Sequence, residues 1–141
     1  MTLSADPLEA AIRGAADFFE TSYQGDPAWA ARAVAQLEYL AVEIPAGRSS
    51  RDLGAMVGPA LLSARHVLRS TLGIPQQDPP QAVIDRMEAI ALNRASNPDL
   101  AQRLMALPRL PQVNSATQMT LRDWEFGPPQ ELIDVAEVRR S

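Results

Sequence analysis

The sequence contains one histidine, His66, and it lacks the neighbours with which histidine usually performs chemistry. No second histidine, no cysteine and no H-E-x-x-H or E-x-x-H spacing accompanies it, as zinc sites would require. Nucleophilic catalysis needs a nucleophile beside a base, and the sequence around His66 shows no such pair. These observations favour a structural or surface role for His66, so we expect no catalytic residue and no metal site.

Acidic side chains lie on the first two predicted helices, at Asp17, Glu20, Glu38 and Glu43. Without histidine they make a poor di-metal site, and we interpret them mostly as a solvated face. The segment GAMVGP, residues 54–59, lacks the lysine that a phosphate-binding loop requires. The sequence therefore predicts a protein that is not an enzyme and that binds no cofactor.

Charge is distributed unevenly along the chain. Residues 1–44 carry two arginines and seven acidic residues, a net charge of −5, whereas residues 45–75 carry four arginines and one acidic residue, a net charge of +3. Arginine can clamp phosphates or contact guanine edges. The candidates for binding DNA or another anion in this basic segment are Arg48, Arg51, Arg65, His66 and Arg69.

Residues 49–70 have the spacing of a helix-turn-helix, with Gly58 at the turn and the second helix presenting the last three of those candidates. Two features oppose DNA binding. Leu61 and Leu62 stand where a recognition helix usually exposes polar groups, and an isoelectric point near 4.9 disfavours nonspecific DNA affinity. A core helix kinked at Gly58-Pro59 explains the same residues, and both interpretations remain open.

An alanine-rich helix, a short break and then SSRDLGAMVG leading into another helix make residues 31–72 resemble the small terminase subunits of some bacteriophages. The resemblance covers under a third of the chain. It implies a DNA-packaging adaptor that forms rings and passes DNA to a motor through its C-terminal segment. The acidic first hairpin of this chain has no counterpart in that pattern.

Large apolar side chains occur in a second region, residues 108–130, which is rich in proline and has no clear helical period. They are Met119, Leu121, Trp124 and Phe126. Large apolar side chains of this kind are expected to be buried against other protein surface. Either this segment packs on its own helices, or it docks on a partner chain or a neighbouring subunit with these side chains as anchors.

Four Asx-Pro pairs predict the helix starts that position these groups: Asp6-Pro7, Asp26-Pro27, Asp78-Pro79 and Asn97-Pro98. Aspartate and asparagine accept bonds from the first free amides, and proline is well tolerated at the first helical position. We therefore predict helices over about 7–24, 27–43, 51–72, 79–94 and 98–107. Gly58-Pro59 should divide the third into two short helices.

The predicted fold is all-α. It is a small bundle of about five helices over residues 1–107, followed at 108–141 by an extended proline-containing arm and a short terminal helix over 131–140. No stretch approaches the ~20 apolar residues of a membrane span, and the first residues show no secretory signal. Together with the absence of cysteine, this predicts a cytoplasmic protein that contacts no membrane.

All thirteen basic residues are arginine. A GC-rich bacterial or phage genome explains this absence of lysine, as does selection against a modifiable amine. From the sequence we expect a non-enzymatic interaction or assembly protein, self-associating or part of a complex, that docks through its C-terminal arm. The alternative is a helix-turn-helix DNA-binding protein, either a regulator or a phage packaging adaptor.

Overall fold

The structure is a computed structural model that describes residues 6–21, 25–94 and 97–128. Helices are its only regular secondary structure within those ranges, which confirms the predicted all-α class. None of the helices in the described part is long and apolar enough to cross a membrane. The helices are α1 (Pro7–Glu20), α2 (Pro27–Glu43), α3 (Val57–Leu72), α4 (Pro80–Ala91), α5 (Pro98–Met105) and α6 (Pro111–Phe126).

Three of the four Asx-Pro pairs start helices as predicted. Asp6, Asp26 and Asn97 each accept hydrogen bonds from backbone amides two or three residues further on, at 2.9 to 3.2 Å. The fourth start is displaced by one residue, because α4 begins at Pro80. Asp78 therefore does not cap it, and its carboxylate instead lies 3.5 Å from the guanidinium of Arg86.

The predicted break at Gly58-Pro59 is wrong, since α3 is one helix. Pro59 is its third residue, where the backbone amide has no partner inside the helix to lose. The residue four positions earlier, Ala55, lies outside the helix, so the proline ring meets no helical carbonyl there. Gly73 ends α3 in the left-handed conformation, φ 73°, which glycine adopts readily at a helix end.

The predicted extended arm is also wrong over residues 111–126, which form α6. Pro111 is the first residue of this helix, a position that proline favours. The buried positions do follow a helical period, but three of them are polar: Thr117, Thr120 and Asp123. Both threonine hydroxyls donate to the carbonyl four residues earlier, which lets them be buried. The predicted terminal helix over 131–140 lies outside the described residues.

Helix α2 is central, packing on α1, α3, α4 and α5, while α6 lies across α1 and α3. One fully buried side chain from each of five helices contributes to the shared core: Ile12, Leu37, Leu61, Met87 and Val113. Gln118 donates to the carbonyl of Ala16, and Glu125 pairs with Arg13. Helices α1 and α6 therefore run antiparallel.

Candidate functional site

Trp124, the largest of the predicted partner-binding side chains, belongs to the core of the molecule. It is only 2% exposed. The guanidinium of Arg51 lies 4.5 Å from the centre of its indole ring, and Arg51 Nη1 donates to the Trp124 carbonyl at 2.6 Å. Trp124 is thus covered by its own chain and not offered to a partner, and Arg51 is engaged in covering it.

The other three predicted anchors differ in exposure. Met119 and Leu121 are half-buried and pack against the core. Phe126, at the end of α6, is 81% exposed. The sequence therefore grouped four residues that the fold separates, and within this group Phe126 alone presents its side chain to solvent.

The loop before α3 is fastened to the end of α6. Asp123, which is buried, accepts a hydrogen bond from the backbone amide of Gly54 at 2.9 Å. With the contacts of Arg51 on Trp124, this bond places residues 51–54 over α6. The predicted arm and the predicted basic segment are therefore neighbours in space, and the contacts between them are intramolecular.

Arg69 was predicted to contact DNA, and its position contradicts this. Both Arg69 and Glu38 are buried, and Nε and Nη2 of Arg69 donate to the two Glu38 carboxylate oxygens at 2.8 Å. Its remaining nitrogen donates to the carbonyls of Pro75, Gln76 and Asp78. The hydrogen bonds to Glu38 raise the pKa of Arg69 despite burial. This arginine connects α2, α3 and the loop before α4.

The predicted helix-turn-helix does not form in residues 49–70. Residues 51–56 contain no helix, so the first helix of that motif is missing, and Gly58 lies in the first turn of α3. Arg65 is half-buried and His66 is exposed on α3. Arg48 pairs with Glu43 at 3.0 Å in the loop after α2. The five basic candidates are therefore not gathered on one recognition helix.

Within the described ranges, no three potential metal-binding side chains among histidine, cysteine, aspartate and glutamate lie together. Of the carboxylates that the sequence singled out, Asp17 and Glu20 are exposed on α1 and Glu38 is buried against Arg69. The prediction of a shared solvated face thus holds for the α1 pair and fails for Glu38.

A largely apolar concavity of the described surface is a groove of about 530 Å³ between α1, α2 and α4, which we call the α1–α2–α4 groove. Its lining is dominated by small and apolar side chains, and Leu92 at its edge is 52% exposed. The lining residues are Pro7, Ala10, Ala11, Arg32, Ala35, Gln36, Tyr39, Ile84, Glu88, Ala91 and Leu92.

Two opposite charges flank this groove. Arg32 on α2 and Glu88 on α4 are both exposed, and neither forms an ion pair with any described residue. Tyr39 on α2 also lines the groove. Burial, and then the carboxylate of Glu43, raise the pKa of its phenol.

Two other depressions are more polar. One, of about 670 Å³, lies along the start of α6 and includes Arg109, Asn114 and Arg122. The other, of about 520 Å³, lies between the end of α2 and the loop before α3, with Arg51 and Asp52 in its lining. Apolar ligand surfaces prefer the least polar concavity, so the α1–α2–α4 groove is the candidate docking site.

The sequence did not predict this groove. The sequence predicted the three helices that line it, over about 7–24, 27–43 and 79–94, but not how they pack against one another. A usable signal was the apolar face of α4, which continues past Ala91 to Leu92 at the end of the helix. Compared with known proteins, the chain matches no protein family, no curated protein and no solved structure.

Proposed function

We propose that this protein is a non-enzymatic interaction or assembly module that binds a protein surface in its α1–α2–α4 groove. The observation that carries this proposal is an apolar groove flanked by Arg32 and Glu88, two charges without partners among the described residues. Interfaces combine an apolar centre with a polar, charged rim, and this groove has that arrangement.

The proposed docking surface is the α1–α2–α4 groove and not the C-terminal arm that the sequence first indicated. Trp124 is contacted by Arg51 and Asp123 by Gly54, so these two side chains of α6 are engaged within the molecule. Leu92 and the alanine lining, in contrast, have apolar surface that a partner helix could cover.

Selection of helical peptides from a display library tests this function. A peptide that occupies the groove should bind the native protein and lose affinity at least about tenfold when Ala91→Arg places a long charged chain in the lining. Ser70→Arg, on the exposed side of α3, is the matched control and should leave binding unchanged. Selected peptides that bind the Ala91→Arg variant equally well would contradict the proposal, as would a selection that yields no binder.

DNA binding remains the alternative hypothesis from the sequence, and it makes a different prediction. A generic duplex at low salt should increase the solution mass, and this increase should disappear as salt rises. Substituting Arg65 and His66 together with alanine should weaken that binding if α3 contacts the duplex. If the solution mass does not change when the duplex is added at low salt, this alternative is rejected.

A further inference from the structure

We infer that the occupant of the α1–α2–α4 groove is a second copy of this chain, docked about a twofold axis. This inference rests on the proposed function and names its partner. In a twofold interface the same patch serves both molecules, so it must carry both halves of each contact. The groove does so in shape and in charge.

The surface of the groove has one protruding apolar side chain and one recess lined by alanines. The protruding side chain is that of Leu92, which is 52% exposed at the end of α4. Ala11 and Ala35, whose short side chains line the groove, leave room for a bulky group. In the docked pair, Leu92 of each copy enters the alanine-lined part of the other, and the exposed surface of both Leu92 side chains is removed from water.

The two charged residues of the groove are also complementary to each other. Arg32 belongs to α2 and Glu88 to α4, so they stand on two different sides of the groove. A twofold rotation brings Arg32 of one copy to Glu88 of the other and repeats this contact symmetrically. A second copy supplies both countercharges from the same two residues, so the patch complements itself.

Charge reversal separates contacts between copies from contacts within one copy. Arg32→Glu places two glutamates opposite each other at both contacts, and Glu88→Arg places two arginines there. Each variant should raise the dimer dissociation constant at least about tenfold in sedimentation equilibrium. The double variant carries exchanged charges and should dimerise as the native chain does.

The decisive experiment mixes the two single variants. The Arg32→Glu chain then carries two acids and the Glu88→Arg chain two arginines, so a heterodimer has two attractive contacts. We expect the mixture to regain the native mass. Recovery in the double variant without recovery in the mixture would assign the pair to a single chain and overturn the inference.

Two matched reversals outside the groove serve as controls. Arg65→Glu on α3 and Glu20→Arg on α1 make the same changes of charge and should leave the mass unchanged, with helical content checked by circular dichroism. A native chain that stays monomeric at high micromolar concentration would overturn the second copy as occupant. The peptide selection would then still decide the proposed function by itself.

Discussion

Two of the charged side chains on helix α2, Glu38 and Arg32, lie in opposite environments. Glu38 is buried, and both of its oxygens accept hydrogen bonds from Arg69. Arg32 is exposed beside an apolar groove and has no ion pair among the described residues. Comparing them separates two uses of charge on one helix. The charge satisfied inside the molecule connects helices, whereas we propose that the one left open at an apolar rim contacts a partner.

The largest expected effect is on the buried side of this comparison. Arg69→Met should lower the free energy of unfolding by about 3 to 5 kcal/mol, because it leaves Glu38 charged and buried and three loop carbonyls without their donor. Urea denaturation followed by circular dichroism measures this change. Arg65→Met, on the same helix but without such bonds in the described structure, should change stability by under about 0.5 kcal/mol. Equal effects of the two substitutions would show that the buried pair has no special role.

Asp123→Ala should have a smaller effect, about 2 kcal/mol, since it removes the acceptor of one backbone amide, that of Gly54. The loop over α6 should loosen at the same time. Asp52→Ala in that loop is the exposed control and should be near neutral in the same urea titration. Faster amide exchange at Gly54 in the Asp123 variant would identify the loop as the part that opens, and unchanged exchange there would contradict the assignment.

A substitution in the groove should weaken association between copies without changing the stability of the fold. Leu92→Ser should change the free energy of unfolding by under about 0.5 kcal/mol, because Leu92 is half exposed, yet it should weaken dimerisation measurably. Light scattering over a range of concentrations gives the second quantity. If Leu92→Ser leaves the concentration dependence of mass unchanged, Leu92 lies outside the interface.

The smallest effect is expected at Phe126, despite its exposure. Phe126→Ala should alter neither stability nor the dimer dissociation constant, since Phe126 lies at the end of α6 and does not line the groove. A loss of dimer in this variant would return the docking surface to the C-terminal region that the sequence first indicated.

The sequence predicted three of the six described helix starts, those of α1, α2 and α5, because their signal is local. Asp26-Pro27 caps and begins α2 with neighbours only two or three residues away. The start of α4 was off by one residue, since a second proline follows Asp78-Pro79 and becomes the first helical residue.

Predictions that depended on tertiary contacts failed. Helix α6 was missed because Thr117, Thr120 and Asp123 occupy its buried face, and hydrophobic period alone gives them no weight. Nothing within α3 distinguishes Arg69 from Arg65, since the partner of Arg69 is 31 residues away on another helix. The groove could not be predicted for the same reason. It is made by three helices together, and the apolar end of α4 indicates only its edge.

Hydrogen exchange at two protein concentrations tests the central claim most directly, because it locates the docking surface without any substitution. The account predicts that amides near the end of α4, around Glu88 to Leu92, exchange more slowly at high concentration, while amides of α3 are unaffected. Protection confined to α3 or α6, or no protection anywhere at concentrations where the mass has risen, would contradict it.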